Sequence, residues 1–149
     1  MDKVIFLDID GVLNNASTSN IVETTGFIGV DERNVRVLVK LMKEVDADIV
    51  LSSTWQADQQ MYDYLTDTLK QYDIHISDQT NEKGILRGTA IRQYIKKHDV
   101  KHYVVIDDWM FPDFLKGSFL KHVIRSDEMT GLKEEQIPEI IRAYPYNEN

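Results

Sequence analysis

Short apolar runs alternate along this chain with segments whose apolar residues recur every three or four positions. Val4-Ile5-Phe6-Leu7 is four apolar residues in a row, which predicts a buried strand of a parallel sheet. Asp31 is a plausible helix N-cap, and Val35, Leu38, Leu41, Met42 and Val45 follow at helical spacing. Ile49-Val50-Leu51 reads as a second strand, and Met61, Leu65, Leu69 and Tyr72 line one face of a helix between Asp58 and Gln71. Ile74-His75-Ile76 is a weak third strand, and Asn81 to Gly84 a turn. Arg87 opens a third helix with Ile91 and Ile95 inward, and Tyr103-Val104-Val105-Ile106 is the fourth strand. After a loop with Pro112 and Gly117, His122-Val123-Ile124 is a marginal fifth strand. Ile137, Ile140 and Ile141 mark a closing helix whose start is blurred by Thr130-Gly131. Strand and helix in alternation predict βαβ units with right-handed crossovers. The expected fold class is α/β: one doubly wound, Rossmann-like domain over residues 1–149, with a five-stranded, mainly parallel sheet flanked by helices. Residues 14–30 form a short insert, polar from Asn14 to Asn20 and then a possible hairpin turning at Gly26. Leaving from the mouth of the sheet, it is placed to fold over that mouth as a flap.

The polar residues that end these strands carry the chemistry. The first strand runs into Asp8-Ile9-Asp10-Gly11, the second into Ser52-Ser53, the fourth into Asp107-Asp108. In a parallel sheet these ends share one edge, and open α/β sheets bind ligands outside the carboxyl ends of their strands. Asp8 and Asp10, two apart on a strand, are expected to face the same side unless the turn at Gly11 redirects them. Four carboxylates would then converge. Two like charges about 4 Å apart repel by on the order of 4 kcal/mol at an effective dielectric of 20. Such a site calls for a cation or for raised carboxylate pKa values. Oxygen ligands without His or Cys favour Mg²⁺, held by one or two carboxylates and a substrate phosphate. An EF-hand also begins Asp-x-Asp, but it needs a helix before the motif and its glycine at the sixth position.

Composition narrows the field. The 149 residues are 42% apolar, enough for one core, and the formal net charge of −8 argues against a general nucleic-acid binder. It leaves room for an enzyme that meets a nucleic-acid end through one local patch. With no cysteine there is no disulfide framework and no thiolate site. No apolar run approaches a membrane span or signal peptide, so no membrane partner is expected and a cytoplasmic location is the default expectation.

The wording FLDIDGVLN, IVLSSTW, RGTAI and YVVIDD, in that order, resembles the haloacid dehalogenase (HAD) superfamily of phosphohydrolases. More narrowly it resembles small, capless members such as the HAD domain of Swiss-Army-knife RNA repair proteins. The resemblance implies roles. Asp8 matches the nucleophile that becomes an aspartyl-phosphate, and Asp10 the general acid that then activates water. Asp8, the backbone carbonyl of Asp10, and Asp107 and Asp108 match the Mg²⁺ ligands, and Asp113 matches a further acid. Ser52 matches the phosphate-binding hydroxyl, with Ser53 as the competing candidate. Arg87 stands where the family has its phosphate-neutralising base, with Lys83 as the competitor. Ser52 directly follows the apolar run and Arg87 opens the helix leading to Asp107-Asp108, which favours both. Trp55 is either a wall of the pocket or plain packing.

The implied activity is a Mg²⁺-dependent phosphatase acting on a phosphomonoester. A carboxylate is a competent nucleophile at phosphorus, and phosphoryl transfer asks the protein mainly for positioning and charge neutralisation. Alternatives are a catalytically silent phosphate- or nucleotide-binding module of the same fold, and a phosphatase of nucleic-acid 3′ or 5′ ends. A signalling receiver domain would carry its acidic pair after the first strand and its acceptor aspartate on a middle strand; the order here is the reverse. The expected partner is a phosphorylated substrate: a small ester, a nucleotide or a macromolecular end.

Overall fold

The central apolar run becomes the central strand. In the computed structural model, which describes residues 2–143, β1 spans Lys3–Leu7, and Val4 to Leu7 have no solvent exposure. Around it lie α1 (Glu32–Glu44), β2 (Asp48–Leu51), α2 (Gln59–Lys70), β3 (Ile76–Gln79), α3 (Arg87–His98), β4 (His102–Asp107), β5 (Val123–Arg125) and α4 (Ile137–Ala143). The five strands are ordered β3-β2-β1-β4-β5 and every pairing is parallel. The order reverses between β1 and β4, which is the switch point where doubly wound sheets bind ligands.

Strand alternation sorts the core into two layers. Ile5, Leu7, Ile49, Leu51, Val104 and Ile106 pack with α1, α2 and α4. Val4, Phe6, Val50 and Val105 pack with Ile91 and Tyr94 of α3, and with Phe114 and Phe119. Those two phenylalanines come from 3-10 turns at Pro112–Leu115 and Gly117–His122, which cover the sheet where the sequence suggests only a loop.

Helix starts follow their caps. Asp31 accepts from the Arg33 N–H at the head of α1, and Asp58 from the N–H groups of Gln60 and Met61 at the head of α2. The third strand lies later than the apolar triplet predicts. Asp73 takes a positive φ of 60° and the Ile74 N–H bonds back to the Leu69 carbonyl, so Ile74 closes α2 and the strand begins at Ile76. Being an edge strand, β3 tolerates the polar Ser77, Asp78 and Gln79. His122 belongs to the 3-10 turn Gly117–His122, and β5 starts at Val123. In α4, Ile137 and Ile140 point inward, whereas Ile141 is exposed.

The segment after Gly11 does make a small hairpin. Ile21 and Ile28 form an antiparallel bridge, and the Gly26 N–H bonds to the Val22 carbonyl. The hairpin rests on α2: Gly29 packs against the Tyr64 hydroxyl with no room for a Cβ, and Tyr64 accepts the Val30 N–H at 3.1 Å.

Candidate active site

Asp8 continues the alternation of β1. Its N–H bonds to the Ile106 carbonyl, while the Ser52 N–H bonds to the Leu7 carbonyl, so the ladders run one residue past the strands. Phe6, Val50 and Val105 face α3, and Asp8, Ser52 and Asp107 are the next residues of that parity. All three are buried. Arg87, the first residue of α3, meets them from that side. Its Nη1 lies 2.9 Å from Asp107 Oδ2 and 3.3 Å from Asp8 Oδ1, and its Nε donates to Glu82 at 2.6 Å. The guanidinium also lies 4.8 Å from the Phe111 ring centre. Asp8, Asp107 and Asp108 each place a carboxylate oxygen within 4.8 Å of the others.

Asp108 reaches this trio because Gly11 lets it. Gly11 has φ +78°, and a Cβ there would overlap the Asp108 carboxylate. Ser126 fixes the same turn, its hydroxyl donating to the Gly11 carbonyl at 2.7 Å and its N–H to the Asp107 carbonyl at 2.9 Å.

Electrostatics follow from burial. Desolvation and the neighbouring charge of Asp107 hold the Asp8 pKa well above the usual carboxylate value, against the pull of Arg87. Burial pushes Asp107 up to about 6, again with Arg87 opposing. Burial disfavours the charge on Arg87, but Asp8 and Asp107 outweigh it and raise its pKa. Asp8, Asp107, Asp108 and Glu82 outnumber the one guanidinium among them. Three clustered hard-oxygen ligands with excess negative charge are a donor set suited to a divalent cation such as Mg²⁺.

Asp10 departs from the expected convergence: three carboxylates cluster, and its own is not among them. The chain turns out of the strand after Asp8, and the turn at Gly11 redirects the second aspartate. Its Oδ2 accepts the Trp55 indole N–H at 3.1 Å and its Oδ1 accepts Asn14 Nδ2 at 3.0 Å. Asn14 also accepts the Gly11 N–H at 2.8 Å and donates to the Gly29 carbonyl. Trp55 is thus both packing, being buried, and a partner of Asp10.

The competing candidates are placed differently. Ser52 Oγ is buried with no hydrogen-bond partner, whereas Ser53 Oγ accepts the Trp55 N–H and caps the 3-10 turn Thr54–Ala57. Arg87 is buried against the carboxylates, whereas Lys83 is exposed in the turn before it. Asp113 lies outside the trio. Its Oδ2 accepts the Thr89 N–H at 2.7 Å at the start of α3. Residue-level reading missed Glu82, Asn14, Phe111 and Ser126, which act through loop contacts with no periodic signature.

A parallel sheet that gathers an aspartate trio, two of its members buried, and a buried arginine at its switch point defines a HAD-like α/β domain. The family model described as HAD domain in Swiss Army Knife RNA repair proteins matches residues 4–137, and the chain belongs to this family. Membership supports a phosphatase-type hydrolase that binds a phosphorylated substrate. No curated protein and no solved structure matches the chain. Among the described residues no helix is long and apolar enough to cross a membrane.

Proposed function

We propose that the protein is a Mg²⁺-dependent phosphomonoesterase working through an aspartyl-phosphate on Asp8. The observation that carries this reading is the separation of the two aspartates of one motif. Asp8 lies buried within the acidic trio and against Arg87, while the Asp10 carboxylate is held outside it by Trp55 and Asn14.

Asp8, Asp107 and Asp108, with the backbone carbonyl of Asp10, would hold Mg²⁺. The ion supplies positive charge against the carboxylates and the incoming phosphate. Arg87 orients Asp8 and balances the charge that develops on the phosphoryl oxygens. Ser52 Oγ, buried and unpartnered, donates to one of those oxygens. Asp8 attacks phosphorus, the bond from phosphorus to the ester oxygen breaks, and Asp10 gives its proton to the departing oxygen. Water then attacks the aspartyl-phosphate, Asp10 takes the water's proton, and the bond from phosphorus to Asp8 breaks to release inorganic phosphate.

Asp8→Asn tests this directly. The amide keeps the shape but cannot attack, so phosphate release from p-nitrophenyl phosphate should fall below a few per cent of wild type with an unchanged melting profile. Retained turnover would refute the covalent route. A second reading, a phosphatase of nucleic-acid 3′ or 5′ ends, is favoured by the family's link to RNA repair proteins. Oligonucleotides phosphorylated at either end, assayed beside small esters, decide between the two.

A further inference from the structure

The hairpin and α2 enclose a groove of about 480 Å³ beside Asp10. It is lined by Asp10, by Thr54 and Trp55, by Phe27 and Ile28 of the hairpin, and by Asp58 and Met61 of the α2 start. Phe27 is 57% exposed although it faces this groove. The hairpin that carries it is anchored on both sides. Thr25 Oγ1 donates to Met61 Sδ at 3.1 Å, Gly29 is packed under Tyr64, and Asn14 Nδ2 bridges the Gly29 carbonyl and the Asp10 carboxylate. The backbone that carries Phe27 is therefore anchored, and its side chain lines the same groove as the proposed acid. Among the described residues, the only charged side chains lining the groove are those of Asp10 and Asp58.

We propose that this groove is the leaving-group subsite and that Phe27 selects esters whose leaving alcohol carries a flat, uncharged ring system. The proposal rests on Asp10 being the general acid. A proton donor must lie within hydrogen-bond reach of the oxygen it protonates. Whatever is bonded to that oxygen must then extend past Asp10, and the groove opens there. An exposed aromatic face beside a thioether and a branched aliphatic chain offers stacking and dispersion to a planar ring. With Asp10 engaged as the proton donor, the Asp58 carboxylate, with no cationic side chain among the described residues lining the groove, repels a second anionic group on the same alcohol. The subsite thus favours a nucleoside-like leaving group over a bare sugar and disfavours a bisphosphate.

Adenosine 5′-monophosphate and ribose 5-phosphate release the same kind of primary alcohol and differ by the base, so their kcat/KM ratio isolates the groove. The ratio should be about tenfold or more in favour of the nucleotide, the effect of one stacked ring. In Phe27→Ala it should collapse toward one, chiefly through a higher KM for the nucleotide, and Phe27→Tyr should keep it. Adenosine 3′,5′-bisphosphate should be the poorer substrate of the two nucleotides. A parallel titration of Asp8→Asn with both monophosphates in Mg²⁺ reads binding without turnover. Hydrolysis of both esters with no preference for the base, or a preference that survives Phe27→Ala, overturns the subsite and leaves the phosphatase standing. Base-dependent binding lost in Phe27→Ala, with no hydrolysis by wild type, overturns the phosphatase and the leaving-group role with it, and leaves Phe27 as a ring-binding residue only. Neither turnover nor binding overturns both.

Discussion

Asp8 and Asp10 are two residues apart and live in different surroundings. Asp8 is 5% exposed and packed against Arg87 and Asp107; Asp10 is exposed, with an indole and an amide as partners. Residues with such unequal environments can divide acid and nucleophile duties in one reaction. Asp10→Asn should therefore leave Mg²⁺ binding largely intact. It should slow alkyl phosphates by about 10²–10⁴-fold, the usual contribution of a positioned acid. p-Nitrophenyl phosphate, whose leaving group needs little protonation, should lose far less. Asp8→Asn should be equally dead with both. The comparison needs only steady-state rates for the two esters and a Mg²⁺ titration. Equal slowing of both esters together with lost Mg²⁺ affinity would make Asp10 a carboxylate ligand and break the assignment.

At the scale of elements, the position of Arg87 depends on how α3 begins. Its N-cap, Leu86, has no side-chain bond, and the role passes to Asp113, which is distant in sequence. Asp113 Oδ2 accepts both the N–H and the hydroxyl of Thr89, and Gly88 is the residue whose missing Cβ lets that carboxylate approach. Asp113→Ala should cost about 1–2 kcal/mol, the range for a lost helix cap, read as a lower urea midpoint at unchanged slope. It should also lower kcat/KM through misplacement of Arg87, and Asp113→Asn should recover part of both. Unchanged stability in Asp113→Ala would refute the cap. None of this was legible in the sequence, where Asp113 looks like one more acid of the metal site. The strand ends were legible, because uninterrupted apolar runs such as Val4–Leu7 fix where Asp8, Ser52 and Asp107 must fall on a parallel sheet. Arg87 was legible as a helix start. The departure of Asp10 toward Trp55 and Asn14 was not, because strand periodicity stops at the turn. The late start of β3 was hidden in the same way, by a positive-φ residue at Asp73 that turns the Ile74 N–H back onto the end of α2.

At the scale of the whole molecule, the trio ties stability to metal and to pH. In the metal-free protein burial, and for Asp8 also the charge of Asp107, raise the pKa values of Asp8 and Asp107, that of Asp107 to about 6. A carboxyl whose pKa is higher folded than unfolded contributes stability that is fully present below the unfolded value. That contribution is lost as pH rises through the folded value. The metal-free protein should thus lose this part of its stability as pH climbs from about 4 to and beyond 6. Asp31 works in the opposite sense: its hydrogen bonds from Arg33 hold its pKa below the usual carboxylate range, so its contribution is lost as pH falls. The contribution of Asp31 is the same with and without metal, so a difference between the two conditions removes it. Mg²⁺ needs Asp8 and Asp107 ionised and must displace the protons held there, so its affinity should rise with pH over the same interval. The measurement is the melting temperature from pH 4.5 to 8, once in EDTA and once in excess Mg²⁺. The gap between the curves should be close to zero at the acid end, open through about pH 6, and level off above the folded pKa values. Catalytic activity should vanish in EDTA across the whole range and return on adding Mg²⁺. A gap that is absent, or the same at every pH, would mean that Asp8, Asp107 and Asp108 do not take up the ion together, and the charge balance argued for Arg87 would then have to hold the site without it.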